Sequence, residues 1–350
     1  MKTTHKDNTE LYIGENILKG PLLTDLCKKI GGRPIIVADR AVKDLHPLLL
    51  EADRITLSDN AKNKTTQEYL ENALFKLGAG KDTILIAMGG GVTTDLVGFV
   101  ASIYLRGVSL ILIPTTLLAI VDASIGGKTA IDTPFGKNLI GTFYPAHAII
   151  VDLDTLKTLP EKEWLNGLAE ILKIGLVLDL SIWEMANKKP KDKKLIQKAI
   201  DGKRSVVNQD PKELGLRRIL NFGHTIGHAL EAISHYKLSH GEAIAIGSIV
   251  EAHLSMHLGY LSEKDFQEIQ SSYTAFPLQL PKNYNRDAFL NALSHDKKRI
   301  GVQMRCVLID AIGHALPFNG DYCRPISAKE LEITLDWMEK KYGRSSDYPL

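Results

Sequence analysis

Between Arg33 and Val151 the chain alternates short apolar, β-branched runs with stretches of helical spacing, and few folds accept that alternation. Strand-like runs fall at Arg33–Ala38, Asp53–Leu57, Thr83–Met88, Ser109–Ile113 and Ala148–Val151. Helical spacing falls at Thr66–Leu77 and Thr93–Tyr104. Strands joined through helices run parallel, and a parallel sheet needs helices over both faces. The expectation is an α/β N-terminal domain with a doubly wound, Rossmann-like parallel sheet. After Leu159-Pro160 the period becomes mostly helical: Glu163–Leu178, Lys194–Gln209, Leu220–Ile233, His240–Leu258, Ser262–Ala275, Ala288–Asp296 and Ala328–Tyr342. Met304–Leu308 alternates like a strand. The boundary is expected near Thr158, with an α/β domain over 1–158 and a mainly α-helical domain over 159–350. A length of 350 residues accommodates two such cores.

Composition narrows the function classes. A formal net charge of +2, from 43 basic and 41 acidic residues, gives no electrostatic footing for nucleic acid or a membrane surface. The three cysteines, Cys27, Cys306 and Cys323, match no zinc or redox spacing and read as reduced thiols of a cytoplasmic protein. Met1–Glu15 lacks the apolar core of a signal peptide. The longest apolar run, Leu110–Val121, is interrupted by Pro114, Thr115 and Thr116 and is too short to span a bilayer. Lys188–Lys194 reads as a solvated loop.

Four constellations can carry chemistry. The strand Thr83–Met88 runs into Gly89-Gly90-Gly91 and then a helix. Side-chain-free amides at a helix N-terminus suit a pyrophosphate, and they equally suit a plain tight turn. Asp95 follows, fit for a cofactor contact or for a favourable place near the helix start. Asp122 and Lys128, in Val121-Asp122-Ala123-Ser124-Ile125-Gly126-Gly127-Lys128-Thr129, lie in what reads as a flexible glycine-bearing segment, with Lys137-Asn138 beyond Pro134 and Gly136. Lysines and an asparagine there suit a phosphorylated or polyhydroxylated ligand, or an ordinary surface loop. Glu170 and Lys173 are three apart on one helix among apolar neighbours, either a metal ligand beside a substrate contact or a surface ion pair. Finally, His224, His228 and His240 cluster behind a lead-in of Lys203, Glu213, Arg217 and Asn221. Spacing alone favours His224 and His228 as an i,i+4 metal pair. His253 and His257 share that spacing but fall off the face of His240 and read as structural or surface residues.

These four blocks, in this order, resemble the 3-dehydroquinate synthase family of sugar-phosphate cyclases, from about Val37 to Gly313 and most densely between Gly89 and Gly247. The resemblance implies a carbon–oxygen lyase of the shikimate pathway that is NAD- and metal-dependent, with zinc as the expected ion and cobalt as an alternative. The implied reaction turns 3-deoxy-D-arabino-heptulosonate 7-phosphate into 3-dehydroquinate and phosphate by transient oxidation, elimination, reduction and aldol closure. It implies Glu170, His224 and His240 as metal ligands, which replaces the His224/His228 pair and leaves His228 as a catalytic non-ligand. It implies substrate contacts at Asp122, Lys128, Asn138, Lys173, Lys203, Arg217 and Asn221, and at Lys298 of Asp296-Lys297-Lys298. Arg106 is implied to reach the substrate phosphate from the partner subunit of a homodimer. NAD contacts are implied at Asp39, Gly90, Gly91, Val92, Asp95, Thr115, Thr116, Lys137, Thr155 and Thr158.

One departure stands out. Where the family commonly has Gly-Glu-x-x-Lys-Thr, this chain has Asn60-Ala61-Lys62-Asn63-Lys64-Thr65. The glutamate position is Ala61, which predicts weaker NAD binding, and Lys64 keeps the basic position. Two rival readings share the architecture: another sugar-phosphate cyclase, and a metal-dependent polyol dehydrogenase with net NAD reduction. Asn221, His228 and Lys297-Lys298 favour the first reading over other cyclases, and Asp122, Lys128, Lys137 and Asn138 argue against a dehydrogenase.

Overall fold

Seven strands of the first half join in one sheet, and the chain reverses its direction across it once. The computed structural model describes residues 2–4, 8–42, 44–58, 61–295 and 304–343. Two compact units result, Met1–Trp164 and Leu165–Leu350. The first contains β1 (Lys2–Thr4), β2 (Glu10–Gly14), α1 (Leu22–Ile30), β3 (Arg33–Asp39), β4 (Asp53–Leu57), α2 (Lys64–Lys76), β5 (Thr83–Gly89), α3 (Gly91–Ile103) and β6 (Ser109–Pro114). It continues with β7 (Lys128–Thr133), β8 (Gly136–Phe143) and β9 (Ala148–Asp152). The sheet order is β1-β2-β9-β6-β5-β3-β4, and every pair except β1–β2 is parallel. All seven residues of β5 are buried, as a strand covered on both faces requires. One face packs Ile36, Ile84, Ile86, Ile111 and Ile150 against Leu23 and Leu26 of α1.

The chain runs outward from β3 to β4 and then returns to the other side of β3 with β5. That reversal marks the carboxyl ends of β3 and β5 as the place where open α/β sheets bind their ligands. Asp39 ends β3, and Gly90 caps α3 directly after β5.

Three features of this unit were not foreseen. The paired strands β1 and β2 and the helix α1 come from a stretch with little continuous apolar signal; β2 buries only alternate residues. The segment Val121–Thr129, expected to be flexible, begins in a helical turn, Ala119–Ala123, and runs into an antiparallel hairpin, β7–β8, registered Lys128↔Phe143 through Ile131↔Ile140. It buries only Thr129–Ile131, and β8 is largely exposed, so no apolar period marked it.

The expected boundary at Thr158 lies in a 3-10 turn, Leu153–Thr158, and the division between the units falls inside the following helix α4 (Glu161–Leu178). The second unit then adds α5 (Leu180–Lys188), α6 (Lys193–Gln209), α7 (His224–Ile233), α8 (His240–His257), α9 (Glu263–Ser272) and α10 (Arg286–His295). The small strands β10 (Arg305–Cys306), β11 (Ile309–Ala311), β12 (His314–Ala315) and β13 (Arg324–Pro325) precede α11 (Ala328–Tyr342). The helix expected over Leu220–Ile233 is broken: a 3-10 turn, Leu216–Asn221, ends before Gly223, whose φ of 77° stops the turn and restarts the chain as α7. No helix among the described residues is long and apolar enough to cross a membrane.

Helices α7 and α8 touch backbone to backbone. A Cβ at Gly247 would lie 2.0 Å from the carbonyl oxygen of Gly223, and one at Gly227 would lie 2.9 Å from Ile244. A capping box starts α8: Ser239 accepts from the Glu242 N–H, and the Glu242 carboxylate accepts from the Ser239 N–H. Next to it, the Gly241 N–H donates to the buried Asn166 Oδ1 of α4 at 2.9 Å. These ties fix the first residue of α8, His240, against both α7 and α4.

Candidate active site

Glu170 of α4 and the first residues of α7 and α8, His224 and His240, present one ligand atom each within 4.8 Å of one another. The Nε2 atoms of His240 and His224 lie 3.1 and 3.5 Å from Glu170 Oε1. Ligands bonded at about 2.0–2.1 Å in a tetrahedral site stand about 3.3 Å apart, so a divalent ion fits this set. The other ring nitrogens are also provided for. His224 Nδ1 lies 3.2 Å from the Phe222 carbonyl, and His240 Nδ1 lies 3.6 Å from the Glu231 carboxylate. Both partners are acceptors, so each Nδ1 can donate its hydrogen outward, which leaves each Nε2 as the atom that would face a bound cation, the usual outer shell of a metal-bound histidine. His228 stands beside the set, its ring centroid 5.0 Å from His224 and 6.4 Å from His240. It forms a second grouping with Glu231 and His240. The pair expected from spacing, His224 with His228, is thus not the set that meets Glu170.

Glu170 and Lys173 form an ion pair, with both side chains almost fully buried. The surface-pair alternative is therefore wrong: the apolar neighbours in the sequence reported a buried helix face. Burial opposes ionisation of Glu170, but Lys173, His224 and His240 outweigh it and hold the carboxyl well below its usual range. Burial, aided by the Lys173 charge, keeps His224 well below the ordinary imidazole value. Burial also works against a charge on His240, yet its hydrogen bonds to Glu170 and Glu231 push it up to about 10.

That shift has a sign that can be measured. A raised folded value means protonated His240 supports the metal-free fold fully below pH 6.5, and the support fades as pH climbs through about 10. A cation must displace that proton, so apparent Zn2+ affinity should rise about tenfold per pH unit across pH 7–9. Chelator competition, corrected for the chelator's own protonation, measures this; a flat profile would mean that His240 carries no proton for the cation to displace in that range.

A cavity of about 400 Å³ opens beside the histidines, lined by Glu213, Arg218, Asn221, His224, Thr225, His228, Arg305, Val307 and Cys323. Asn221 donates to Glu213 at 2.5 Å. Lys203 and Arg217 are buried in the same unit, and Arg217 donates to the Pro211 carbonyl at 2.8 Å. His253 lies elsewhere, stacked on Trp337 with centroids 4.1 Å apart, and His257 is exposed.

In the first unit, Gly90 and Gly91 sit close against their neighbours. A Cβ on Gly90 would meet Thr116 at 3.1 Å and one on Gly91 would meet Ala123 at 3.3 Å. Val92 follows in the first turn of α3 and Asp95 in the next. Thr115, at the end of β6, is 2% exposed and its hydroxyl finds no partner among the described residues. An unsatisfied buried hydroxyl beside a glycine-capped helix start fits a dinucleotide. Asp39 accepts from the Ala41 N–H at 2.8 Å. Thr116 caps the turn after β6 by accepting from Ala119 N–H. Thr155 donates to the Asp152 carbonyl, and Thr158 bonds His46. Asp95, Ser124, Gly126, Gly127 and Lys128 line one small pocket, while Asp122 sits in the turn before it and Lys137 at the start of β8. Arg106 is exposed between Leu105 and Gly107, all three with positive φ. Lys298 lies outside the described residues.

Residues 54–166 match the family model described as 3-dehydroquinate synthase N-terminal, and residues 167–299 match 3-dehydroquinate synthase C-terminal. A curated 3-dehydroquinate synthase of Thermodesulfovibrio yellowstonii is 47% identical over 257 residues, 70% of this chain and 72% of its own. The chain belongs to the 3-dehydroquinate synthase family. Among solved structures, 2-epi-5-epi-valiolone synthase from Streptomyces hygroscopicus subsp. jinggangensis 5008, with NAD+ and Zn2+ bound, is 27% identical. It superposes with a TM-score of 0.84 over 95% of this chain and 97% of its own. A 2-deoxy-scyllo-inosose synthase complexed with carbaglucose-6-phosphate, NAD+ and Co2+ is 25% identical, with a TM-score of 0.83 over 96% and 99%.

Two features of this 3-dehydroquinate synthase family member escape a reading of its sequence. Glu231, one turn beyond His228, orients His240; its spacing from His228 on one helix face was the available signal. In the departing loop, Lys64 points to solvent, 3.9 Å from Glu68, so the family's basic position is an exposed side chain here. Lys62 is the buried one.

Proposed function

We infer that the chain converts 3-deoxy-D-arabino-heptulosonate 7-phosphate into 3-dehydroquinate and phosphate. The observation that carries the reading is the convergence of Glu170, His224 and His240, each imidazole backed by an acceptor, in a chain of this family. When bound, NAD+ supplies a reversible hydride acceptor and the divalent ion, zinc or cobalt, supplies Lewis-acid polarisation of an oxygen.

The chain's own groups do the rest. Glu170, His224 and His240 hold the cation, and Lys173 keeps the Glu170 carboxylate ionised in its buried place. Asp39, Gly90, Gly91, Val92, Asp95, Thr115, Thr116, Lys137, Thr155 and Thr158 hold the dinucleotide. Lys128, Lys203, Arg217 and Lys298 match the negative carboxylate and phosphate of the substrate, and Asp122, Asn138 and Asn221 orient its hydroxyls. His228, at the cavity wall beside His224, takes and returns the proton of the hydroxyl that is transiently oxidised. The leaving phosphate can accept the proton lost in elimination, so no strongly basic side chain is required. Arg106 completes the phosphate site from the partner of a homodimer; its exposed position in a left-handed turn supports that role. We place the enzyme in the cytoplasm.

The net change is redox-neutral, and this decides the test. Purified protein with Zn2+ and a catalytic amount of NAD+ should release phosphate and form 3-dehydroquinate in equal amounts, with no lasting NADH. Stoichiometric NADH from a polyol, or turnover only of a sugar phosphate lacking the carboxylate, would overturn the reading. Lys128→Ala should raise substrate KM about 10–100-fold, the loss of one charge-assisted contact, while NAD+ affinity stays within about twofold. Kinetics paired with direct NAD+ titration separates the two; an unchanged KM would count against the contact.

A further inference from the structure

The loop that departs from the family pattern carries a buried cation. Lys62 is only 9% exposed. Its Nζ donates to Asp95 Oδ2 at 2.5 Å and to Asn138 Oδ1 at 2.5 Å. The backbone around it is anchored: the Lys62 carbonyl accepts from Asp132 N–H at 2.6 Å, and Asn63 makes an isolated parallel bridge to Asp132. The lysine thus enters between α3, which bears Asp95, and the hairpin, which bears Asn138. A buried ammonium is costly unless geometry compensates it, and two oxygens at short range do so.

The chemistry of the donor fixes the direction of its partners. An ammonium only donates, so the amide oxygen of Asn138 faces Lys62 and its NH2 faces the other way. Asn138 is held from its backbone too, with a φ of 57° and its N–H on Asp132 Oδ1 at 3.0 Å. The group it meets in a ligand must therefore be an acceptor, such as a hydroxyl, carboxylate or phosphate oxygen.

We propose that Lys62 is a positioning residue that locks the Asp95 carboxylate and the Asn138 amide into one arrangement, tying the dinucleotide contact to the substrate contact. This rests on the assignment of Asp95 and Asn138 as ligand contacts made above. Lys62, which the family pattern does not mark, is the buried cation of this loop.

The test is a pair of double-mutant cycles. NAD+ affinity is measured by calorimetry, without substrate, for the full chain and for K62M, D95N and K62M/D95N. K62M should weaken binding about tenfold, and the double variant should bind within about twofold of D95N. A matching cycle of K62M with N138A, read in substrate KM, should be non-additive in the same way. Wild-type NAD+ affinity in K62M, or effects that multiply in either cycle, would overturn the proposal. K62Q, which can still donate to Asp95, should fall between wild type and K62M; an order in which K62Q is the weaker binder also overturns it.

A pH profile adds a readout that a merely structural role would not move. Burial raises the Asp95 carboxyl, Lys62 opposes that rise, and Asp122 and Asp132 add to it. In K62M the midpoint of pH-dependent NAD+ binding should shift upward, and an unmoved midpoint would count against Lys62. Because the NAD+ cycle involves no turnover, a chain that fails on the heptulosonate phosphate yet gives a non-additive cycle would lose the proposed reaction and keep this role. The reverse result would remove Lys62 alone.

Discussion

His240→Ala should abolish tight Zn2+ binding and lower kcat/KM at least about 1,000-fold, while the protein stays folded. Lewis-acid stabilisation of developing charge is worth several kcal/mol, at 1.36 kcal/mol per factor of ten. The fold should survive because α8 does not start from that side chain. Its first turn is closed by Ser239 and Glu242 and tied to Asn166 through Gly241. Metal content by elemental analysis, circular dichroism and steady-state kinetics on one preparation check the three parts. Wild-type activity in a metal-free variant would remove His240 from the cation's ligands and, with it, the main support for the proposed chemistry.

Glu170→Leu should act differently, because it strikes stability as well as the site. The substitution strands Lys173, which is 1% exposed, without its carboxylate. Breaking one side of a buried ion pair typically costs about 3–5 kcal/mol, whereas replacing both partners by apolar groups is often neutral. For a unit of this size that corresponds to roughly 6–20 °C in Tm of the metal-free protein. Glu170→Leu/Lys173→Met should recover most of that loss and none of the activity. Thermal unfolding of the two variants beside wild type checks the expectation. Equal Tm values for the single and double variants would mean that the stranded lysine carries no such cost.

Much of this could be read from the residues themselves. The strand Thr83–Gly89 and the glycines beyond it announced a parallel sheet and a tight turn into a helix, since a strand buried on both faces must be continuously apolar. The clustered histidines pointed to the candidate site, but not to which residues converge there. Spacing sees only neighbours on one helix, whereas His240 and Glu170 arrive from other helices through the close approach of α7, α8 and α4. The β7–β8 hairpin escaped because its outer strand is exposed and carries no alternating burial. Lys62 escaped for a related reason. A lysine in a polar loop looks solvated until the backbone bridge to Asp132 turns it inward. The Glu170–Lys173 pair was seen, yet only burial separates a surface pair from an internal one.

The contact at Gly247 has a consequence for anyone engineering this chain. Replacing mid-helix glycines with alanine is a standard route to thermostability, because it removes conformational freedom from the denatured ensemble. At Gly247 an added methyl would sit 2.0 Å from the Gly223 oxygen. The two helices would be wedged apart at the point where each delivers its leading imidazole. A position that a propensity scale marks for improvement is therefore one where a stabilising library should leave the native residue alone.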